Sequence, residues 1–117
     1  MCQAFVILIS LLLAQQLYAK RIEPQPVLPV ESNGARYSAD RDGPVQYVVA
    51  TDVVRSRQLW KVKIFRTHVK PWIEEDNQWV FITNLRLNGR TLVIRNEKAR
   101  CYYLDLVTKH VKKRTCQ

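Results

Sequence analysis

Glycine is scarce in this chain, with three in 117 residues, and there is one methionine and two histidines. So little glycine excludes collagen-like repeats and the glycine-rich loops that cradle phosphates. Acidic residues are also few: ten Asp and Glu stand against 19 Lys and Arg, for a formal net charge of +9 and a pI near 9.8. Three cysteines are too few for a disulfide-dense miniprotein. No apolar run approaches the roughly 20 residues of a membrane-spanning helix. Gly-x-Ser-x-Gly, His-Glu-x-x-His and dinucleotide fingerprints are all missing, so no motif names a reaction or a cofactor. At 117 residues the chain is one domain's length or less, and its 47% hydrophobic residues can supply a core.

The apolar residues open the chain. Ala4 to Ala14 are interrupted only by Ser10, and Leu17-Tyr18-Ala19 follow. A short apolar core ending at a small residue fits a secretory signal, with cleavage between Ala19 and Lys20. Residues 1–19 are therefore read as a signal peptide and the protein as secreted or periplasmic. The piece removed has no charged side chain, so the exported chain keeps the whole +9. Residues 20–43 hold Pro24, Pro26 and Pro29, and Pro44 follows directly. Proline at this density removes backbone donors, and the segment is read as an extended, Pro-rich flexible arm.

Residues 44–117 read as an antiparallel β domain. Leu59 to Arg66 alternate, with Trp60, Val62 and Ile64 on one face and Lys61 and Lys63 on the other. Gln46–Thr51, Gln78–Thr83 with Leu85–Leu87, Thr91–Ile94, Cys101–Leu106 and His110–Arg114 supply five more strands, with Gln78–Thr83 read as buried on both faces. Asn88-Gly89 marks a hairpin. Only Pro71–Asp76 could make a helical turn. The expectation is all-β: a meander of about six strands, curled or barrel-like, with Trp60 and Phe81 as core anchors.

A hairpin centred on Thr108-Lys109 pairs residues whose numbers sum to 217, and Cys101 and Cys116 satisfy that sum. Directly opposed cysteines in an oxidising compartment predict a Cys101–Cys116 disulfide. Two cysteines with no third close ligand do not make a zinc set.

Val49 to Trp60 carry Asp52, then Leu59-Trp60 seven residues later. This stretch resembles the hairpin of quinoprotein-type (PQQ-like) β-propeller repeats, which read Asp, two residues, Thr-Gly, two residues, Leu-Trp. Gly89–Asn96 and Tyr103–Lys109 resemble the preceding strand and hairpin, with Asp105 and Thr108 in register. Arg55-Ser56 and Lys109 replace the usual residues. The resemblance implies blade-like hairpins; the family's Asp-x-x-Thr-Gly is itself an Asx turn followed by a left-handed glycine, and that glycine is missing from both stretches. It does not extend to a closed propeller, for which the chain is too short, and no quinone cofactor is carried over.

For chemistry, the Glu74-Glu75-Asp76 cluster with His68 offers a small hydrolase or metal-dependent site. A solvated turn is the simpler reading, and no enzyme activity is expected. Charge points elsewhere. Lys109, Lys112, Lys113 and Arg114 form a basic C-terminal strand, and Arg55 and Arg57 a second basic group. Such charge attracts polyanions at long range. The function expected is a basic interaction module that binds an acidic protein or an anionic envelope polymer. A structural role in an envelope assembly is the third reading. Nucleic acid is not expected, because Tyr47, Trp60 and Tyr103 fall at strand positions rather than on a base-stacking platform.

Overall fold

The computed structural model describes residues 25–117; the signal segment, residues 1–19, lies outside the described residues. The protein is all-β, with eight strands in two antiparallel sheets of four. The first sheet is β1 (Val30–Ser32), β2 (Ala35–Asp42), β3 (Val45–Asp52) and β4 (Arg57–Arg66). The second is β5 (Ile82–Asn88), β6 (Thr91–Asn96), β7 (Cys101–Asp105) and β8 (Val111–Arg114). In each sheet the spatial order is the chain order. No helix among the described residues is long and apolar enough to cross a membrane.

Two strands lie where the sequence reads as a flexible arm. Asn33 and Gly34 both have positive φ (52° and 79°), the signature of a type I′ turn, and they fold β1 onto β2. Gly43 (φ 57°) with Pro44 turns β2 into β3. The prolines break neither strand: Pro26 and Pro29 precede β1, and Pro44 occupies a turn. Asn88-Gly89 does mark a hairpin, but Asn88 ends β5 opposite Thr91 and the two-residue loop is Gly89-Arg90.

The sheet neither curls nor closes into a barrel. β4 and β5 are not hydrogen-bonded to each other, and the connection between them contains a 3-10 turn, Asp76–Gln78. The two sheets pack face to face instead. Ala35, Tyr37, Val48, Ala50 and Ile64 of the first meet Ile82, Leu85, Leu92, Ile94, Tyr102 and Leu104 of the second in one apolar cluster. Phe65 stacks on Tyr102 at 4.9 Å between ring centroids, so each sheet lends an aromatic to that contact. The buried Gln46 side chain of β3 spans the layers, its Oε1 accepting the Ile82 N–H at 3.2 Å. Trp60 is half-buried against this core, 5.8 Å from Tyr37. Phe81 is buried outside the cluster, beneath the Arg41 guanidinium at 4.6 Å. β5 has one buried and one exposed face, not two buried ones.

The hairpins β3–β4 and β7–β8 share one loop design. Asp52 Oδ1 accepts the Val54 and Arg55 N–H groups at 3.0 Å each, and Ser56 is left-handed at φ 51°. Asp105 Oδ1 accepts the Val107 and Thr108 N–H groups at 2.8 and 3.0 Å, and Lys109 is left-handed at φ 65°. These N–H groups, with Arg90 beyond them, hold the Asp105 carboxyl below the usual carboxylate range. A left-handed residue with a Cβ carries a penalty of about 1–2 kcal/mol that glycine escapes. Ser56→Gly should therefore stabilise the protein by roughly 1 kcal/mol, read from the denaturant midpoint at constant slope. Lys109→Gly should gain less or lose, because the Lys109 ammonium sits 4.8 Å over the Trp60 ring and donates to the Leu106 carbonyl.

Cys101 and Cys116 are joined by a disulfide with a Cα–Cα distance of 5.1 Å. The register that suggested it is off by two. Cys101 pairs with Arg114 and Tyr102 with Lys113, because the turn is the longer Asx loop and not a two-residue turn at Thr108-Lys109. Cys116 lies beyond the end of β8 and folds back to Cys101, which sets its sulfur 3.3 Å from the Ala99 carbonyl oxygen.

Candidate anion-binding groove

Alternation along β8 divides the basic strand. Lys112 is registered opposite Tyr103 and Arg114 opposite Cys101, on the outer face of the second sheet. Lys113 is registered opposite Tyr102, on the inner face at the sheet's margin. Lys112 and Arg114 therefore line a surface groove of about 530 Å³ with Thr91, Tyr103, Asp105, Thr108 and His110, and Lys113 does not. The Tyr103 hydroxyl donates to the Thr115 carbonyl at 3.2 Å, tying the ring to the tail that the disulfide holds.

The same face gathers further cations. The ladders align Arg86, Val93, Tyr103 and Lys112 in one cross-strand row, and Arg95, Cys101 and Arg114 in the next. Strands β5 to β8 contain one acid, Asp105. Its Oδ1 accepts from the loop N–H groups and its Oδ2 meets Arg90 at 3.1 Å, so this acid is paired with a cation of its own at the end of the groove. The outer face of the first sheet is different. There Lys61 lies 3.1 Å from Asp40 and 4.4 Å over the Tyr47 ring. The Arg41 backbone N–H, and then Lys61, hold Asp40 below the usual carboxylate range.

The remaining candidates do not converge on the groove. The Lys109 ammonium is turned to Trp60, and Arg55 and Arg57 are exposed at the loop of the first sheet. His68 is exposed, and among the described residues no three His, Cys, Asp or Glu side chains come together to hold a metal ion. Glu74 accepts from the Asn77 amide at 3.1 Å. Runs of charge in the sequence do not gather Tyr103, Thr91, Arg86 and Arg95 into this face. Period-two alternation carried across the ladder is the signal that gathers them. No family model matches the chain, and no curated protein matches it.

Proposed function

We propose that this protein is an exported interaction module that takes anionic ligands, an acidic protein segment or an envelope polyanion, on the outer face of its second sheet. The observation that carries the reading is the placement of Lys112, Arg114 and His110 around Tyr103 in one groove, with Arg86 and Arg95 beside it. The sheet fixes the spacing of these cations, and a ring among them offers apolar area and a π-face. The Cys101–Cys116 bond accords with an oxidising compartment.

The test compares equal losses of charge. Lys112→Gln with Arg114→Gln removes two charges from the groove, and Arg55→Gln with Arg57→Gln removes two from the far loop. Binding to a short heparin fragment should fall roughly tenfold for the groove pair, about 1.4 kcal/mol. The loop pair and Lys113→Gln alone should change it little. All binding should weaken with salt as the Debye length shortens from about 10 Å at 0.1 M to about 3 Å at 1 M. Equal loss per charge at every position would reject a localised site.

A further inference from the structure

The connection between the sheets displays an apolar tip on a rigid base. Gln78 is the brace. Its Oε1 accepts the Lys70 N–H at 2.7 Å, and its Nε2 donates to the Lys70 and Ile73 carbonyls at 3.0 Å each. The Ile73 N–H donates to the Lys70 carbonyl and the Gln78 N–H to that of Glu75. What the brace presents is Trp72, 77% exposed, beside the exposed Ile73. An indole left in water on a pre-ordered loop has the character of an interface anchor, since Trp is enriched at hot spots and ordering has already been met in the fold. Glu74, Glu75 and Asp76 follow it directly.

The protein therefore carries both halves of a complementary pair. One is an aromatic tip followed by three acids. The other is the Tyr103 groove with its lysine, arginine and histidine. In the fold the two halves of one molecule do not meet, since no residue of the loop lines the groove. The loop enters the second sheet at the start of β5, and the groove runs along β7 and β8 at the other edge. Three strand spacings, roughly 14 Å, lie between these edges. The loop is also tied to its own end of the sheet, where the Glu97 carboxylate accepts the Phe81 N–H at 2.8 Å and the Glu97 N–H donates to the Phe81 carbonyl.

We infer that the Trp72 loop of one copy docks in the Tyr103 groove of a second copy, with Glu74 and Glu75 facing Lys112 and Arg114. This rests on the reading of the groove as a receptor for acidic segments, and it names one such segment. The contact is heterologous, so copies that neither exchange loops reciprocally nor close a ring each leave one loop and one groove open, and the product is then a growing row of molecules. The net charge of +9 on each copy opposes association at long range. At 0.15 M salt the Debye length of about 8 Å confines that repulsion while contact pairs persist.

Sedimentation velocity on the disulfide-intact protein tests this, at 0.15 M salt and concentrations up to about 1 mM, where a standard free energy of about −4 kcal/mol gives half-association. The weight-average mass should rise steadily with concentration. A loop variant (Trp72→Ala with Glu74→Gln and Glu75→Gln) and a groove variant (Lys112→Gln with Arg114→Gln) should each associate at least tenfold more weakly. Mixed one to one, they should regain association through the intact loop of one and the intact groove of the other, and stop at two chains. A short heparin fragment should dissolve the wild-type assemblies. A wild-type protein that stays monomeric throughout, a loop variant that assembles as the wild type does, or a mixture that never pairs would each overturn the inference. Groove-dependent heparin binding by a protein that stays monomeric would sink self-docking and leave the anionic-ligand reading standing. Heparin binding without dependence on the groove would remove that reading as well.

Discussion

Truncating Ile94 to alanine is expected to destabilise the protein by about 3–5 kcal/mol. Ile94 has no solvent exposure and sits in the middle of β6, between Leu85 of β5 and Tyr102 of β7. It belongs to the cluster that both sheets share, so the cavity would open at the layer interface where neither sheet can relax alone. Total stability for a domain of this size is about 5–15 kcal/mol, so this one change removes a large part of it. Leu104→Ala, on the next strand and equally buried, should behave the same way. Val49→Ala, on the outer face of β3, is the control and should cost under about 1 kcal/mol. Urea denaturation followed by tryptophan fluorescence decides it. A loss below about 1 kcal/mol for Ile94→Ala would mean the sheets do not share a core.

Replacing both Cys101 and Cys116 by serine should remove about 3 kcal/mol, the chain-entropy value for a loop of about 15 residues. The locality of the damage is the more telling readout. Cys116 follows β8, so the bond anchors the tail of a four-residue edge strand. Without it, amide hydrogen exchange should accelerate first in Val111–Arg114, while β6 keeps its protection. Tyr103 would lose its hold on the Thr115 carbonyl, and binding at the groove should weaken in parallel. Uniform loss of protection across both sheets would instead give the bond a global role.

Most strands from Val45 onward are legible in the sequence because half-burial writes itself as alternation, as in Trp60, Val62 and Ile64 against Lys61 and Lys63, whereas Gln78 to Phe81 precede β5 rather than belong to it. The first hairpin is harder to read. The prolines of residues 24–44 dominate that segment's composition, yet each described one stands outside a strand, where it removes no ladder hydrogen bond. The Asn33-Gly34 signal lies between them. The two bulges in β4, near Leu59 and Ile64, have no glycine or proline to mark them. The disulfide is legible as a pairing but not as a register, since the Asx loop at Asp105 adds residues that a tight turn would not. For the proposed groove, charge runs point to β8 but do not separate its two faces. Lys113 differs from Lys112 and Arg114 only by the pleat.

The order of strands in space has a kinetic consequence. Every hydrogen-bonded neighbour in both sheets is also the next strand in sequence. Loop closure is therefore brief at each step, and the mean sequence separation of contacts is low for an all-β protein, which favours rapid folding. A chain emerging amino end first can complete β1 to β4 before β5 is available. That first sheet would wait with its apolar face bare, since Val48, Ala50 and Ile64 find their cover in the second. The interval between the two sheets is when the nascent protein is most open to aggregation, and the residues 67–81 that separate them set its length.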